Sequence, residues 1–440
     1  MPHPPREAKI TVLALLYFAQ GLPFGFQATA LPVYLRKQGI SLAAIGFASA
    51  LALPWLGKAL WAPLVDRFGS TRFGRRKSWI VPLQLLLALT CALAARAQQV
   101  SAHGTALLLA LVFLMNLFAA TQDIAVDGLA IDILGQGELG LANAVQVVGY
   151  KAGMLTGGGL LVWASGRIGW QGLFGAMAAL ELAVLLAVLP LREPDSLEAA
   201  TSSADGEAQA AEGVAGEGAA EPVARADERS LAAVVSTLFR ALRREGAVAL
   251  LLFVGTYKIG ESMVDGMWKP FLVDAGFTAP QIGLWIGTYG LVASLAGSLA
   301  GGLLAARRSL LFAVAVTATL RSTSMLGEWL IALAAHPSAS AVIAVTASEH
   351  FFGGALTTAM FAFMMSRVDR TIGATHYTLL ASVEVLGKSP GAWLSGVLAA
   401  RLGYTRLFAL GVMLSFAFLL MLAPMRRGAP GSDLRRAADG

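Results

Sequence analysis

The sequence predicts an all-α membrane protein of twelve transmembrane helices in two pseudo-symmetric six-helix bundles, and three observations carry that prediction. Hydrophobic residues make up 56% of the 440 and charged residues only 14%, against roughly 45–50% and about 25% in soluble domains; the mean hydropathy is +0.67. Apolar runs long enough to cross a bilayer core, about 20 residues, recur along the chain, six before and six after one polar break. Short motifs of the first set reappear in the second at a nearly constant offset.

The first set of runs covers 10–35, 41–65, 78–96, 104–131, 140–165 and 169–190. The run from Ile10 outlasts a signal-peptide core and lacks a small-residue cleavage site, so it reads as a retained span. The second set covers 247–272, 279–305, 309–334, 339–366, 373–400 and 403–424. Residues 1–192 and 246–426 thus form two bundles, followed by a tail at 427–440.

Between the bundles, 193–245 begins rich in Ala, Gly and Glu, with no basic residue between Arg192 and Arg225. That composition cannot bury a core and reads as a cytoplasmic linker. Within it, Leu231, Val234, Val235, Leu238, Phe239 and Leu242 recur at helical spacing beside Arg240, Arg243 and Arg244. The stretch 231–244 reads either as an amphipathic helix on the anionic inner leaflet or as an extension of the seventh span.

Of the 33 Lys and Arg residues, 21 fall in the connections on the side of the N-terminus and 6 on the opposite side. The positive-inside rule then places both termini in the cytoplasm, in the bacterial cytoplasmic membrane. The same clustering in short loops argues against nucleic acid as a partner, despite a net charge of +6. Cys91 is the only cysteine and sits in an apolar run, which excludes an intrachain disulfide and a cysteine metal cluster. No cofactor or metal is expected, and the chain reads as a monomer.

Gly39-Ile40-Ser41 followed by Ile45-Gly46 reappears as Gly276-Phe277-Thr278 followed by Ile282-Gly283, and Gly149 and Gly153 reappear as Gly387 and Gly391. Parallel repeats of this kind fit the major facilitator architecture, whose substrate site lies between its halves. The connection after the second span holds Asp66, Arg67, Gly69, Gly74, Arg75, Arg76 and Lys77. Its glycines permit a tight turn, and Asp66 with the basic cluster can latch neighbouring helices as well as set topology. It resembles the major facilitator signature, with Ser70 to Phe73 as an insertion.

Trp61-Ala62-Pro63-Leu64-Val65-Asp66, Phe73-Gly74-Arg75-Arg76-Lys77-Ser78-Trp79 and Gln122-Asp123-Ile124-Ala125-Val126-Asp127-Gly128 resemble one branch of that superfamily, containing bacterial muropeptide permeases (AmpG-like) and acetyl-coenzyme A transporters. In the second half, Thr256-Tyr257-Lys258-Ile259-Gly260-Glu261 and Glu384-Val385-Leu386-Gly387-Lys388 look most like major facilitator superfamily domain-containing protein 3. The resemblance implies a secondary transporter.

Charges inside the spans are rare and mark pathways or partners. In the seventh span Lys258, Glu261 and Asp265 share a helical face, and proton coupling or binding of a charged solute is their first reading. Glu349, His350, Glu384 and Lys151 reach similar depth. His350 titrates nearest neutral pH, and Glu384 and Lys388 can pair along their own helix. Arg321 and Glu181 read as structural, because the superfamily places spans three, six, nine and twelve peripherally. Lys58 enters at nearly the depth of Asp123, which predicts a bridge between spans two and four. Asp127 and Asp132 fall near the inner interface as gate residues facing Arg72, Arg75, Arg76 or Lys77. Gly153, Gly157, Gly158, Gly159, Gly290, Gly297 and Gly301 permit close helix approach.

These readings converge on a secondary transporter working by alternating access. It is expected to be a proton-coupled importer of an organic solute: a muropeptide, an acyl-coenzyme A or another small anionic or acetylated compound, with Lys151, Lys258 and Lys388 holding its anionic group. A membrane-embedded transferase acting on lipid-linked substrates is the alternative, but no His-rich metal pattern, nucleophile motif or phosphate-cradling loop supports it. A receptor or scaffold would need a folded domain where the linker lies.

Overall fold

The computed structural model describes residues 6–70, 74–97, 104–133, 139–190, 246–367 and 373–427. The expected linker with its helix at 231–244, and the tail beyond Arg427, lie outside them. The described chain is helical almost throughout. Helices occupy all twelve expected runs, and eight stretches, covering nine of those runs, are by themselves long and apolar enough to cross a membrane. Glu349 and His350 in the tenth run and Glu384 and Lys388 in the eleventh lower the hydropathy of those helices.

The first run is α1 (Arg6–Gly25), a π-helical turn at Phe26–Ala30 and α2 (Leu31–Lys37). The second is broken into α3 (Leu42–Ala48), α4 (Leu53–Gly57) and α5 (Ala62–Arg67), joined by 3-10 turns at Ser49–Ala52 and Lys58–Leu60. Pro54 and Pro63 stand in the first turns of α4 and α5, where a missing N–H ends the preceding helix. Next come α6 (Lys77–Ala97), α7 (Gly104–Ile133), α8 (Leu139–Leu155), a π turn at Thr156–Leu160, and α9 (Leu161–Val188). The helical stretch Val145–Val188 has 44 residues, about 66 Å at 1.5 Å per residue. That is twice a bilayer core, and it is kinked inside α9 at Gly169, whose φ of 69° favours glycine.

The second half comprises α10 (Ala247–Thr256), α11 (Ile259–Asp274), α12 (Ala279–Ile282) continued by a π stretch Gly283–Gly290, and α13 (Leu291–Arg307). Then follow α14 (Leu310–Leu333), α15 (Ala339–Ser366), α16 (Gly373–Leu402), α17 (Tyr404–Phe418) and α18 (Leu422–Arg427).

Packing divides the chain into two compact units, 1–31 with 51–225 and 32–50 with 226–440. In the first, Leu13, Leu16 and Tyr17 of α1 meet Val126 and Leu129 of α7 and Val184 and Val188 of α9. In the second, Phe253 and Val254 of α10, Val314 of α14, Phe363 of α15 and Phe418 of α17 form the core. Residues 32–50 join the second unit through α3 on α16, where a Cβ at Gly396 would stand 2.0 Å from Leu42 O.

The repeated motifs make the same structure twice. Gly39 and Gly276, at φ 73° and 92°, end their helices in the same way: Gly39 N donates to Arg36 O and Ile40 N to Leu35 O, while Gly276 N donates to Val273 O and Phe277 N to Leu272 O. This is the Schellman arrangement, which needs a left-handed residue. Ser41 and Thr278 then cap the next helices through their hydroxyls. A Cβ on Gly153 would meet Phe18 O at 2.1 Å, and one on Gly387 would meet Gly255 O at 2.0 Å, so the paired glycines press the fifth run on the first and the eleventh on the seventh.

Candidate functional site

The seventh run is interrupted between α10 and α11, where Lys258 adopts a non-helical φ/ψ of −107°/3°. The break carries the Lys258 side chain to α16, where its Nζ lies 3.3 Å from Glu384 Oε1. Lys388, one turn along α16, approaches the same Oε1 at 3.0 Å, and the Tyr257 hydroxyl donates to it at 3.3 Å. Glu384 is buried. One carboxylate held by two ammonium groups leaves a cluster of net charge +1.

The three residues that the sequence places on one face reach three different partners. Asp265 pairs with Lys269 along α11 at 2.6 Å. Glu261 Oε2 lies 3.3 Å from Arg321 Nε of α14. Arg321 also donates through Nη1 to the Glu349 carbonyl at 2.6 Å and ion-pairs through Nη2 with the Glu349 carboxylate of α15. The sequence reading treats Arg321 as a peripheral structural cation, yet its buried guanidinium stands between two of the carboxylates singled out for coupling.

His350 completes this second cluster. Its Nδ1 lies 3.1 Å from Thr346 O and contacts Glu349 Oε2. Both neighbours are acceptors, which assigns a proton to Nδ1 and leaves Nε2 as the exchangeable position. The ring edge bearing Nε2 rests on Gly290, where a Cβ would stand 2.7 Å from His350 Cδ2. Glu328, two turns along α14 from Arg321, is also buried. Counting Glu261, Glu349 and Arg321, the cluster has net charge −1 with His350 neutral and zero with it protonated.

In the first unit Lys58, in the 3-10 turn before α5, forms an ion pair with Asp123 of α7, the bridge that depth along the spans predicts. Asp127, one turn further, accepts from the Tyr17 hydroxyl at 2.9 Å and from Gln146 Nε2 at 3.0 Å. Glu181 accepts from Gln84 Nε2 at 2.6 Å, and Gln84 in turn accepts from Gln122 at 2.6 Å. Lys151 is half-buried and makes no ion pair with a described side chain. At the loop, Arg76 Nε pairs with Asp132 at 3.0 Å and its guanidinium covers Gly128. Gly74 takes φ 101°, Lys77 donates to Leu189 O, and Arg67 and Arg75 are exposed. The side chains of Asp66 and Arg72 lie outside the described residues.

Aromatic side chains that the sequence reading passed over gather beside the Lys58–Asp123 pair. Phe24 of α1, Trp55 of α4 and Tyr150 of α8 form a triad, with ring centroids 6.2 Å, 5.8 Å and 6.0 Å apart. Trp55 Nε1 donates to Asn116 Oδ1 at 3.0 Å, and Lys58 Nζ is 5.6 Å from the centre of the Trp55 ring. Aromatic residues within apolar runs look like core, so no local spacing separates these three from the rest.

Residues 9–160 match the family model described as acetyl-coenzyme A transporter 1. The anhydromuropeptide permease of Escherichia coli (strain K12) is 30% identical over 427 residues, covering 96% of this chain and 80% of the relative. The chain belongs to the anhydromuropeptide permease family of the major facilitator superfamily. The putative transporter AmpG 4 of Rickettsia conorii is also similar to it, 26% identical over 95% of this chain and 96% of the relative.

Solved structures share the fold of this permease family member at low identity. The nucleoside transporter NupG matches with a TM-score of 0.64 at 13% identity, over 94% of this chain and 98% of the other. A bacterial homologue of the human lysosomal transporter Spinster, inward-facing, matches with 0.62 at 16%, over 96% of each. The protein is therefore an integral membrane secondary transporter of the major facilitator fold, and these likenesses do not favour the transferase alternative.

Proposed function

We propose that this transporter carries an anhydromuropeptide-like solute into the cell, driven by protons, across the bacterial cytoplasmic membrane. In this reading it works as a monomer by alternating access, with the bundles 1–192 and 246–426 as its moving parts and both termini in the cytoplasm. The observation that carries the coupling is Arg321 between Glu261 and Glu349, with His350 on the same Glu349 carboxylate.

Leaving net charge in a low-dielectric interior is costly. One proton on His350 Nε2 brings the Arg321 cluster to neutrality, and its departure restores the negative charge. Glu261 then gains a reason to release Arg321 and turn toward the lysines one turn away on its own helix and on α16. The Lys258–Glu384–Lys388 cluster supplies a positive charge that suits a carboxylate on the solute. Asp265, paired within α11, and Lys151 would adjust the local field. Asp66, Arg67, Gly74, Arg75, Arg76 and Asp127 serve as the cytoplasmic gate, with Lys58–Asp123 as a latch between helices.

The substrate class rests on the identity to the anhydromuropeptide permease, and the match to the acetyl-coenzyme A transporter model makes acetyl-coenzyme A the competing solute. Uptake into proteoliposomes tests both. Labelled anhydromuropeptide is expected to accumulate when the pH outside is set below that inside, and Glu261→Gln and Lys258→Ala are expected to abolish accumulation. Uptake indifferent to the pH gradient refutes coupling. Uptake of acetyl-coenzyme A with none of anhydromuropeptide refutes the substrate.

A further inference from the structure

The first unit carries a group of side chains that the coupling chemistry does not use: the Phe24, Trp55 and Tyr150 triad. Each ring is only half-buried, whereas Phe26 and Phe174, which pack 4.8 Å apart in the same unit, are wholly buried. The triad thus presents ring surface that the unit's own packing leaves uncovered.

The charged edge beside that surface favours water over lipid against it. Lys58 stands over Trp55 with its side chain 32% exposed, and an ammonium group facing hydrocarbon at that depth would be costly. Its partner Asp123 is 7% exposed, so the pair forms a fixed polar edge to an apolar wall. Asn116, bonded to Trp55 Nε1, holds the indole in place.

The angles select among ligands. Phe24 and Tyr150 meet Trp55 at 80° and 77°, and each other at 45°. A planar base is best held between parallel rings, and no two of these rings are parallel. A pyranose instead presents an apolar C–H face to one ring while its equatorial hydroxyls point sideways. An ion pair at the edge offers such hydroxyls a donor at Lys58 Nζ and acceptors at the Asp123 carboxylate.

We propose that Phe24, Trp55 and Tyr150, edged by the Lys58–Asp123 pair, form a binding site for a pyranose ring in the first unit. This deepens the reading of the solute as an anhydromuropeptide, on which it rests, by assigning the sugar portion to this unit. The peptide portion, with its carboxylates, is left to other residues.

The test is equilibrium binding to the full-length transporter in lipid nanodiscs, with three probes: an N-acetylhexosamine disaccharide without peptide, the free peptide, and an adenine nucleotide. The wild type is expected to bind the disaccharide. Trp55→Leu and Tyr150→Leu should each weaken it by about tenfold, the scale of one lost aromatic contact, while Trp55→Phe stays within about threefold of wild type on the same scale. Free peptide should not compete with the disaccharide, and melting curves that match the wild type show that the variants are folded.

Failure of the disaccharide to bind the wild type overturns the site, as does equal binding to Trp55→Leu or preference of the triad for the adenine nucleotide. Disaccharide binding that depends on Trp55, without uptake of anhydromuropeptide, refutes the proposed solute and leaves the site standing. Uptake of anhydromuropeptide that is insensitive to Trp55→Leu does the reverse.

Discussion

Replacing Arg321 by Met removes the guanidinium that Glu261 and Glu349 share and leaves a side chain of similar length in its place. Breaking a buried ion pair by deleting one partner costs about 3–5 kcal/mol, because the other charge stays behind uncompensated. The Arg321 and Glu349 side chains are 4% and 7% exposed, so solvent does little to screen that loss. Glu261, at 19%, is better placed to recover water. Protonation of the stranded carboxylates offsets the penalty, so the deficit should be largest at high pH and shrink as the pH falls. In Arg321→Met/Glu349→Gln the nearer carboxylate is gone as well, and more than half of the lost stability should return. Thermal unfolding of purified wild type, single and double variants across a pH series measures this. A single variant as stable as wild type at alkaline pH would refute the reasoning, and so would a double variant whose loss is the sum of the two single losses.

Three further outcomes follow from contacts described above. The charge-swapped variant Lys58→Asp/Asp123→Lys should recover transport that each single reversal destroys, as measured by uptake in vesicles; an inactive swap with normal expression would show that the pair does more than hold two helices together. His350→Gln keeps a side-chain donor toward Glu349 but removes the exchangeable position at Nε2, so uptake at low external pH should fall about a hundredfold, the low end of a lost general acid–base group, while solute exchange at equal pH persists. A Cβ at Gly297 would stand 1.8 Å from Phe351 O, whereas one at Gly175 meets nothing within 4 Å. Gly297→Ala should therefore lower the yield of folded protein, and Gly175→Ala should be neutral or stabilising by up to about 1 kcal/mol through helix propensity, both read from melting curves.

The placement of helices was largely legible, because the bilayer requires long apolar segments with internally satisfied backbones. Where the chain departs from that rule the sequence still held the reason: Pro54 and Pro63 break the second run, and Gly169 kinks the chain inside α9. Pairings between charges were legible when depth or helical spacing set them, as for Lys58 with Asp123 and for Glu384 with Lys388. They were not legible when azimuth decided. Lys258 shares a face with Glu261 and Asp265 only on an unbroken helix, and the break at Lys258 sends it to Glu384, while Glu261 and Asp265, one turn apart on α11, find Arg321 and Lys269. The surroundings of Arg321 and of the aromatic triad were not legible for a related reason: which residues of other helices face them is recorded by no spacing within one helix.

The two glycine turns at Gly39 and Gly276 bear on how the molecule divides its labour. Each reproduces the same pair of backbone bonds and the same hydroxyl cap, while the residues just before them have diverged to Arg36-Lys37-Gln38 and Val273-Asp274-Ala275. Arg36, which corresponds to Val273, and Asp274, which corresponds to Lys37, are partners at 2.7 Å, and Tyr404 also donates to Asp274. The copies kept the part of their inheritance that governs the path of the main chain and abandoned the part that governs charge. A repeated backbone turn that carries dissimilar side chains frees each copy to take up its own chemistry without altering the path of the chain.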